Sequence, residues 1–183
     1  TRLALLEEAA DEHYRVRALL GFKEQSEYDL IPVRVVARDP SHLYRSVVIS
    51  AGRTDSVQRF MPVVDSRGLV GRVTSVLPHL SLVQLLQDPG NRTSVLMRTS
   101  RVVGILECRN AKLFTDVPAH STIEPGDTVV TSGLGGVYPK GLLVGVVVRV
   151  VDSKDPLFLR VHVEPFTDVT RLEEAFVMRL SPQ

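Results

Sequence analysis

The sequence contains one cysteine, no tryptophan and few aromatic residues, and each shortage excludes a class of protein. The single cysteine, Cys108, excludes an internal disulfide framework and a cysteine-rich metal site. No apolar run approaches the ~18 residues that a membrane-spanning helix needs. Aromatic residues make up 5% of the chain and hydrophobic residues 44%, so the core must be built mainly from valine, leucine and isoleucine. These residues favour strands over helices.

The sequence also lacks the spacings that cofactor, metal and nucleic-acid sites require. The glycine cluster after Ser132 has no following Lys-Ser/Thr pair, so it does not predict a phosphate site. Only Tyr44 and Phe60 accompany the arginines of residues 34–109, which does not support a nucleic-acid partner. No two histidines stand at a metal-ligand spacing, so we expect neither a metal nor a cofactor. The histidines are His13, His42, His79, His120 and His162.

One serine keeps an enzymatic alternative open. Ser132 precedes the sequence GLGG at residues 133–136, the only glycine-rich neighbourhood of a serine in the chain. Thr131 and Val130 stand where a G-x-S-x-G elbow requires a glycine, so we expect a strand that ends in a turn. The alternative is a barrel-type serine hydrolase or protease-like domain that uses Ser132 and a histidine supplied by the fold. The distance from Ser132 to the nearest histidine discriminates between the two.

Short β-branched runs alternate with turn residues from Val33 onward. Turn signals such as Asp88-Pro89-Gly90-Asn91 and Pro125-Gly126-Asp127 separate these runs. Short strands at this spacing, with no helical pattern between them, indicate sandwiches or barrels. We therefore predict a mainly β fold.

An internal resemblance between two stretches predicts how the strands are organised. Val48–Gly52 corresponds to Val129–Gly133, and Gly68–Val73 corresponds to Gly141–Val146. This correspondence predicts two related small β-barrel subdomains in tandem. Glycines inside such strands and corners serve backbone geometry. The glycines expected to do so are Gly68, Gly71, Gly133, Gly135, Gly136, Gly141 and Gly145.

Residues 1–21 have the pattern of the chain's only convincing helix. Apolar residues recur there at alternating spacings of three and four, and Gly21 is expected to end the helix. The stripe either pairs with another helix in a coiled coil or packs on the chain's own β-domain. The stripe residues proposed for self-association are Leu6, Ala9, Val16 and Leu20, with His13 among them. Because the chain begins with Thr1 inside this pattern, we expect the natural protein to extend further towards its N-terminus.

The remaining residues divide into a linker and two subdomains. Residues 22–32 are polar and are interpreted as a linker. Residues 33–109 are predicted to form the first barrel and residues 110–183 the second. The strands near Leu159 to Met178 could return to complete the first barrel.

Charge is distributed unevenly along the chain. Residues 1–33 carry a net charge of −3, residues 34–109 a net charge of +6 and residues 110–183 a net charge of −2. All basic residues of the middle segment are arginines. One hypothesis is that acidic and basic parts of neighbouring copies meet, so that self-association weakens with salt. The other is that the charges only keep a β-surface soluble.

Five blocks of residues follow one another in a recognisable order. They are Tyr14–Phe22, Gly68–Val73, Ser81–Leu86 with Asp88, Gly126–Gly136 and Tyr138–Gly145. Together these blocks resemble the extracytoplasmic part of the MreC family of bacterial rod-shape-determining proteins. The resemblance covers essentially the whole chain, and the order and spacing of the blocks make it specific.

This resemblance implies a scaffold rather than an enzyme. It implies a protein on the periplasmic side of the bacterial inner membrane, with a single-pass anchor that this chain does not contain. The implied partners belong to the cell-wall elongation machinery: MreD, the transpeptidase PBP2, the glycosyltransferase RodA and, through MreD, the MreB cytoskeleton. Self-association into a homodimer or a filament is also implied. Such a scaffold could bind a partner by adding a strand to an exposed sheet edge.

Overall fold

The computed structural model describes residues 21, 24, 26–39 and 45–180. The helix stripe of Leu6, Ala9, Val16 and Leu20 lies outside these residues, so its role stays a prediction. Gly21 and Glu24 are both helical, but the residues around them lie outside the described part of the chain, so the end of the helix at Gly21 also stays a prediction. A helix tolerates a glycine at a cost of about 1 kcal/mol relative to alanine, and glycine alone is therefore a weak stop signal.

Apart from the helical residues Gly21 and Glu24, the described part of the chain forms strands, their connections and two short 3₁₀ helices, Arg53–Asp55 and Val169–Arg171. The strands are β1 (Asp29–Arg38), β2 (Ser46–Ile49), β3 (Pro62–Val64), β4 (Leu69–Val76), β5 (Ser81–Leu85), β6 (Arg92–Met97), β7 (Val103–Arg109), β8 (Lys112–Pro118), β9 (Thr128–Thr131), β10 (Leu143–Asp152), β11 (Phe158–Pro165) and β12 (Glu174–Arg179). The predicted mainly β fold is confirmed. No described helix is long and apolar enough to cross a membrane.

The linker predicted for residues 22–32 is wrong at its C-terminal end, because β1 already begins at Asp29. Leu30 is buried and pairs with Met178 of β12. The polar and charged residues of this segment made it look like a connection. Pro32 is a further obstacle to a strand, since a proline cannot donate to a central ladder. β2 pairs only with the part of β1 from Val35 onward, so Pro32 lies where β1 has a single neighbour.

The strands close into two six-stranded antiparallel barrels, which confirms the predicted pair of barrels in tandem. The first barrel has the order β1-β12-β3-β4-β5-β2, and the second has the order β10-β11-β8-β7-β6-β9. The second barrel uses six consecutive strands and is inserted between β5 and β12 of the first. Each strand of these barrels has two neighbours, but β1 before Val35 pairs with β12 alone, so an edge of the kind expected for strand addition is confined to such overhanging strand ends.

The predicted boundary between the barrels at residue 109 is wrong. β6 and β7 lie before this boundary, yet β6 pairs with β9 through Val95 and Thr131 and belongs to the second barrel. Within Leu159 to Met178 only β12 joins the first barrel, where it pairs with β1 and β3. β11 stays in the second barrel between β10 and β8. Pairing across so long a stretch of chain leaves no local sequence signal.

The two barrels do contain a structural repeat, in which the predicted match of Gly68–Val73 on β4 with Gly141–Val146 on β10 is confirmed and the other predicted match is wrong. β2 pairs with β1 and β5, whereas β9 pairs with β10 and β6, so Val48–Gly52 and Val129–Gly133 are not equivalent. The meander β3-β4-β5 instead matches β9-β10-β11. Val63 pairs with Gly71 as Val129 pairs with Gly145.

Hydrogen bonds outside the strands reproduce this match. The Phe60 N–H donates to the carbonyl oxygen of Val73 over 2.8 Å, and the Gly126 N–H donates to that of Val147 over the same distance. Bulges also coincide, between Val73 and Ser75 on β4 and between Val147 and Arg149 on β10. Phe60 and Gly126 therefore occupy the same backbone position in the two barrels.

Alternating side chains fill the barrels, as the burial pattern of β7 illustrates, with every second residue inside. The core of the first barrel includes Val47, Val70 and Val83. The core of the second barrel continues into the first, because it includes Leu69 and Phe176 of the first barrel. One apolar core thus joins the two barrels.

Candidate interaction surface

The two barrels are also joined by polar contacts centred on Asp65, in the turn between β3 and β4. One oxygen of its carboxylate, Oδ1, accepts the N–H groups of Arg67 and Gly68, each over 2.8 Å. The same oxygen accepts the hydroxyl of Thr167 over 3.0 Å. Thr167 follows β11 of the second barrel and is 2% exposed. This contact fixes the turn of one barrel against the end of a strand of the other.

A second carboxylate, Asp88, organises the connection from β5 to β6. It is buried, and its Oδ1 accepts the N–H of Gly90 and the side-chain amide of Gln84, each over 2.8 Å. Gln84 in turn accepts the Arg72 guanidinium from Nε and Nη2, over 3.2 and 3.1 Å. Charge-assisted hydrogen bonds of this kind are the strong ones in proteins. They hold Arg72 in one orientation on the outside of the first barrel.

The predicted structural glycines occupy turns and close strand crossings. A Cβ atom on Gly71 would lie under 3.0 Å from the carbonyl oxygen of Gln84, and one on Gly145 under 3.0 Å from that of Glu164. On Gly68 it would lie equally close to the carbonyl oxygen of Leu143. The others lie between β9 and β10 with positive φ: Gly133, Gly135, Gly136 and Gly141.

Ser132 lies at the start of this glycine-rich connection and is buried. Its hydroxyl donates to the hydroxyl of Ser94 over 2.7 Å and accepts the N–H of Leu134 over 3.0 Å. Neither partner is a base that could activate a nucleophile. The geometry here is that of a strand end entering a turn.

His162 is the described histidine with the most structured surroundings. It lies half-buried on β11 and stacks on Phe114, with ring centroids 5.1 Å apart. Burial lowers its pKa, and the charges of Arg149 and Lys112 lower it further. Within the described part of the chain no group of three or more histidine, cysteine or carboxylate side chains could hold a metal ion.

Two other titratable groups have raised pKa values because they are buried. Burial raises the pKa of the Cys108 thiol, so it is not a reactive thiolate. Burial likewise raises the pKa of Tyr138 to about 12. Tyr138 belongs to the core that joins the barrels. Both residues therefore serve packing.

The outer surface of the first barrel carries an exposed aromatic residue between two arginines. Phe60 is 48% exposed. The Arg59 guanidinium carbon lies 4.9 Å from the centre of its ring, and that of Arg72 lies 6.0 Å from it. Sequence reasoning considered Phe60 only as a base-stacking residue and missed this arrangement, because β4 brings Arg72 to it from a distance in sequence.

Comparison with known proteins decides the family. A family model described as rod shape-determining protein MreC, barrel core, matches residues 35–179. The chain belongs to the MreC family. It is 34% identical over 185 residues to the MreC of Haemophilus influenzae, which covers 98% of this chain and 52% of that protein. It is 35% identical over 147 residues to the MreC of Caulobacter vibrioides, covering 79% of this chain and 42% of that one.

Solved MreC structures share the two-barrel fold. One MreC superposes with a TM-score of 0.83 at 25% identity, covering 93% of this chain and 99% of that chain. The MreC of Listeria monocytogenes superposes with a TM-score of 0.77 at 29% identity, covering 97% and 90%. A complex between penicillin-binding protein PBP2 and MreC from Helicobacter pylori matches in fold, with a TM-score of 0.66, 18% identity and coverage of 82% and 98%. The chain spans about half the length of the curated MreC relatives that it matches.

Proposed function

We propose that this chain is the β-barrel body of a non-enzymatic scaffold that maintains rod cell shape by binding proteins of peptidoglycan synthesis. The observation that carries the proposal is that the MreC barrel-core family model matches residues 35–179, which contain almost all of the two barrels. The relatives that it resembles are described as cell shape-determining proteins. The hydrogen bonds of Ser132 with Ser94 and Leu134 add support, because they give its hydroxyl a structural role in the turn after β9.

The physical basis of such a scaffold is a rigid body with outward-facing contact residues. Asp65 and Thr167 fix one barrel against the other, and a shared apolar core fills the junction. A body that does not flex loses little conformational freedom when a partner binds. Exposed apolar side chains such as Leu134, which is 64% exposed, would then supply contact area.

The proposed partners are those of the cell-wall elongation complex. PBP2 has the strongest support, since a solved complex of PBP2 with an MreC matches this fold. MreD, RodA and the MreB-linked machinery are proposed from the family resemblance.

We further propose self-association into a homodimer or a filament, in which the stripe Leu6, Ala9, Val16 and Leu20 takes part. A related structure is described as the major periplasmic domain of a cell shape-determining filament, which supports both self-association and a periplasmic location. Anchoring to the inner membrane by a single helix outside this chain belongs to the same proposal.

A binding measurement tests the proposal. The periplasmic domain of PBP2 from the same bacterium is immobilised, and this chain is passed over it in surface plasmon resonance. Saturable binding is expected, and no binding is expected to an unrelated periplasmic enzyme of similar charge. The absence of binding to PBP2, together with turnover of an ester substrate that is lost in Ser132→Ala, would overturn the scaffold and favour the hydrolase.

A further inference from the structure

Phe60 has a conformation that its side chain does not favour. Its φ angle is 69°, in the left-handed region that suits glycine and that costs a residue with a Cβ atom free energy. The equivalent residue of the second barrel is Gly126, with a φ of 92° and the same backbone hydrogen bond. The turns that precede β3 and β9 therefore both require a positive φ at this position, and only the second barrel has glycine there.

Packing does not explain the phenylalanine either. Its ring is 48% exposed and does not belong to either apolar core. A strained residue that contributes little to the core is a feature of sites that bind something. The internal repeat makes this inference stronger, because the second barrel folds the same meander with no side chain at that position.

The surroundings of Phe60 are built and positively charged. Arg59 and Arg72 lie over its ring, and Gln84 holds the Arg72 guanidinium in place from the next strand. Next to Phe60 in sequence, Arg59 also lines a cleft of about 520 Å³, together with Arg53, Val57 and Gln58 and with Thr74, Ser75 and Val76 of β4. Its lining contains Arg53 and Arg59 and no carboxylate.

The corresponding segment of the second barrel has the opposite charge. Gln58, Arg59, Phe60 and Met61 match Glu124, Pro125, Gly126 and Asp127 in sequence order. That segment lines a cleft of about 430 Å³ that contains Glu124 and Asp127 and no basic residue. The aromatic ring and the positive charge are therefore properties of the first barrel alone and not of the repeated fold.

We propose that Phe60, Arg59 and the adjoining cleft form a docking site for an extended acidic segment of a partner protein. An apolar side chain of that segment would lie on the ring, and its carboxylates would pair with Arg53 and Arg59. Arginine suits this role because its planar guanidinium binds carboxylates in a bidentate manner. The inference rests on the proposed scaffold role and names the chemistry of one partner contact.

Peptide binding tests the site. A short fluorescein-labelled peptide of alternating glutamate and isoleucine is titrated with the full chain, and a peptide with glutamine in place of glutamate is the matched probe. The acidic peptide is expected to bind more tightly and to lose affinity as salt is added. Phe60→Gly is expected to weaken its binding about tenfold or more. Arg59→Gln is also expected to weaken binding of the acidic peptide. Val36→Ala, at a residue of the same barrel that is 52% exposed, and Arg98→Gln on the second barrel are expected to change it little.

The same variant separates docking from folding. Because glycine occupies the equivalent position in the second barrel, Phe60→Gly is expected to keep or raise the thermal unfolding midpoint while it loses binding. Equal binding of the two peptides, unchanged binding by Phe60→Gly, or a loss that accompanies unfolding would each overturn the proposal. Sedimentation that shows self-association of the wild type and not of Phe60→Gly would assign the site to a second copy, contrary to the proposal. If neither peptide binds and PBP2 still does, the docking site is wrong and the scaffold role stands.

Discussion

Gly71 and Gly145 stand at equivalent crossings in the two barrels, each directly opposite a carbonyl oxygen of the next strand. Gly71 pairs with Leu85 and Gly145 with Pro165, and a Cβ atom at either glycine would approach the carbonyl oxygen of the preceding residue to under 3.0 Å. The obstacle is backbone, which cannot rotate away as a side chain can. The meander can therefore close only where the strand presents no side chain.

Replacing Gly145 with valine should unfold or strongly destabilise the chain. The added atoms would push β10 away from β11, and we expect a loss of roughly 3 kcal/mol or more in the free energy of unfolding. Urea denaturation followed by circular dichroism measures it. Gly135→Ala is the matched control, since a Cβ atom there meets open space and only its positive φ costs about 1 kcal/mol. A Gly145→Val protein as stable as the wild type would show that the crossing tolerates a side chain.

Replacing Thr167 with valine should weaken the contact between the barrels. The change removes the hydroxyl that donates a hydrogen bond to Asp65 but keeps the shape of the side chain. We therefore expect a loss of about 1 kcal/mol in the free energy of unfolding. Thr170→Val, whose hydroxyl lies exposed beside Asp168, should cost less. Thermal unfolding of both variants measures the difference. Equal midpoints for the two variants would mean that the hydroxyl of Thr167 does not stabilise the junction.

His162 should make the chain less stable as the pH falls. Its pKa in the folded state lies below the ordinary 6.5, chiefly through burial and then through Arg149 and Lys112, with Glu164 opposing. The unfolded chain therefore takes up the proton first. The contribution of His162 to stability is present above pH 6.5 and is lost as the pH falls through the lowered value.

Nuclear magnetic resonance titration of the His162 ring protons measures this pKa directly. Arg149→Gln removes a positive charge and should raise the pKa towards its ordinary value, whereas Glu164→Gln should lower it further. A pKa of His162 at or above 6.5 in the wild type, or no response to Arg149→Gln, would contradict this assignment.

Local patterns predicted the strands, and non-local pairing decided what they form. The alternation of buried and exposed residues in β7 and β8 is readable from the sequence. The pairing of Asp29 with Arg179, which closes the first barrel, leaves no local trace. The sequence comparison matched β9 with β2, whereas the structure matches it with β3. The connections between the matched strands differ in length, so no single difference in residue number relates both Val63 to Val129 and Gly71 to Gly145.

The interaction surface was harder to predict than the fold. Gly145 was assigned a backbone role from sequence, and the described crossing supplies a physical reason for it. Phe60 and Arg72 gave no signal, because their contact exists only once β4 returns beside the turn. The left-handed backbone conformation of Phe60 could not be predicted from the sequence either, since an aromatic residue is not expected in that region of φ and ψ.

The rod shape of cells tests the central claim most directly. In a rod-shaped bacterium depleted of its own full-length protein, we would express full-length versions that carry Ser132→Ala or Gly145→Val and measure the ratio of cell length to width. A non-enzymatic scaffold predicts that Ser132→Ala keeps cells rod-shaped and that Gly145→Val gives rounded cells, with protein levels followed by immunoblot. Rounded cells with a normal amount of folded Ser132→Ala protein would contradict the account and indicate that the serine performs chemistry.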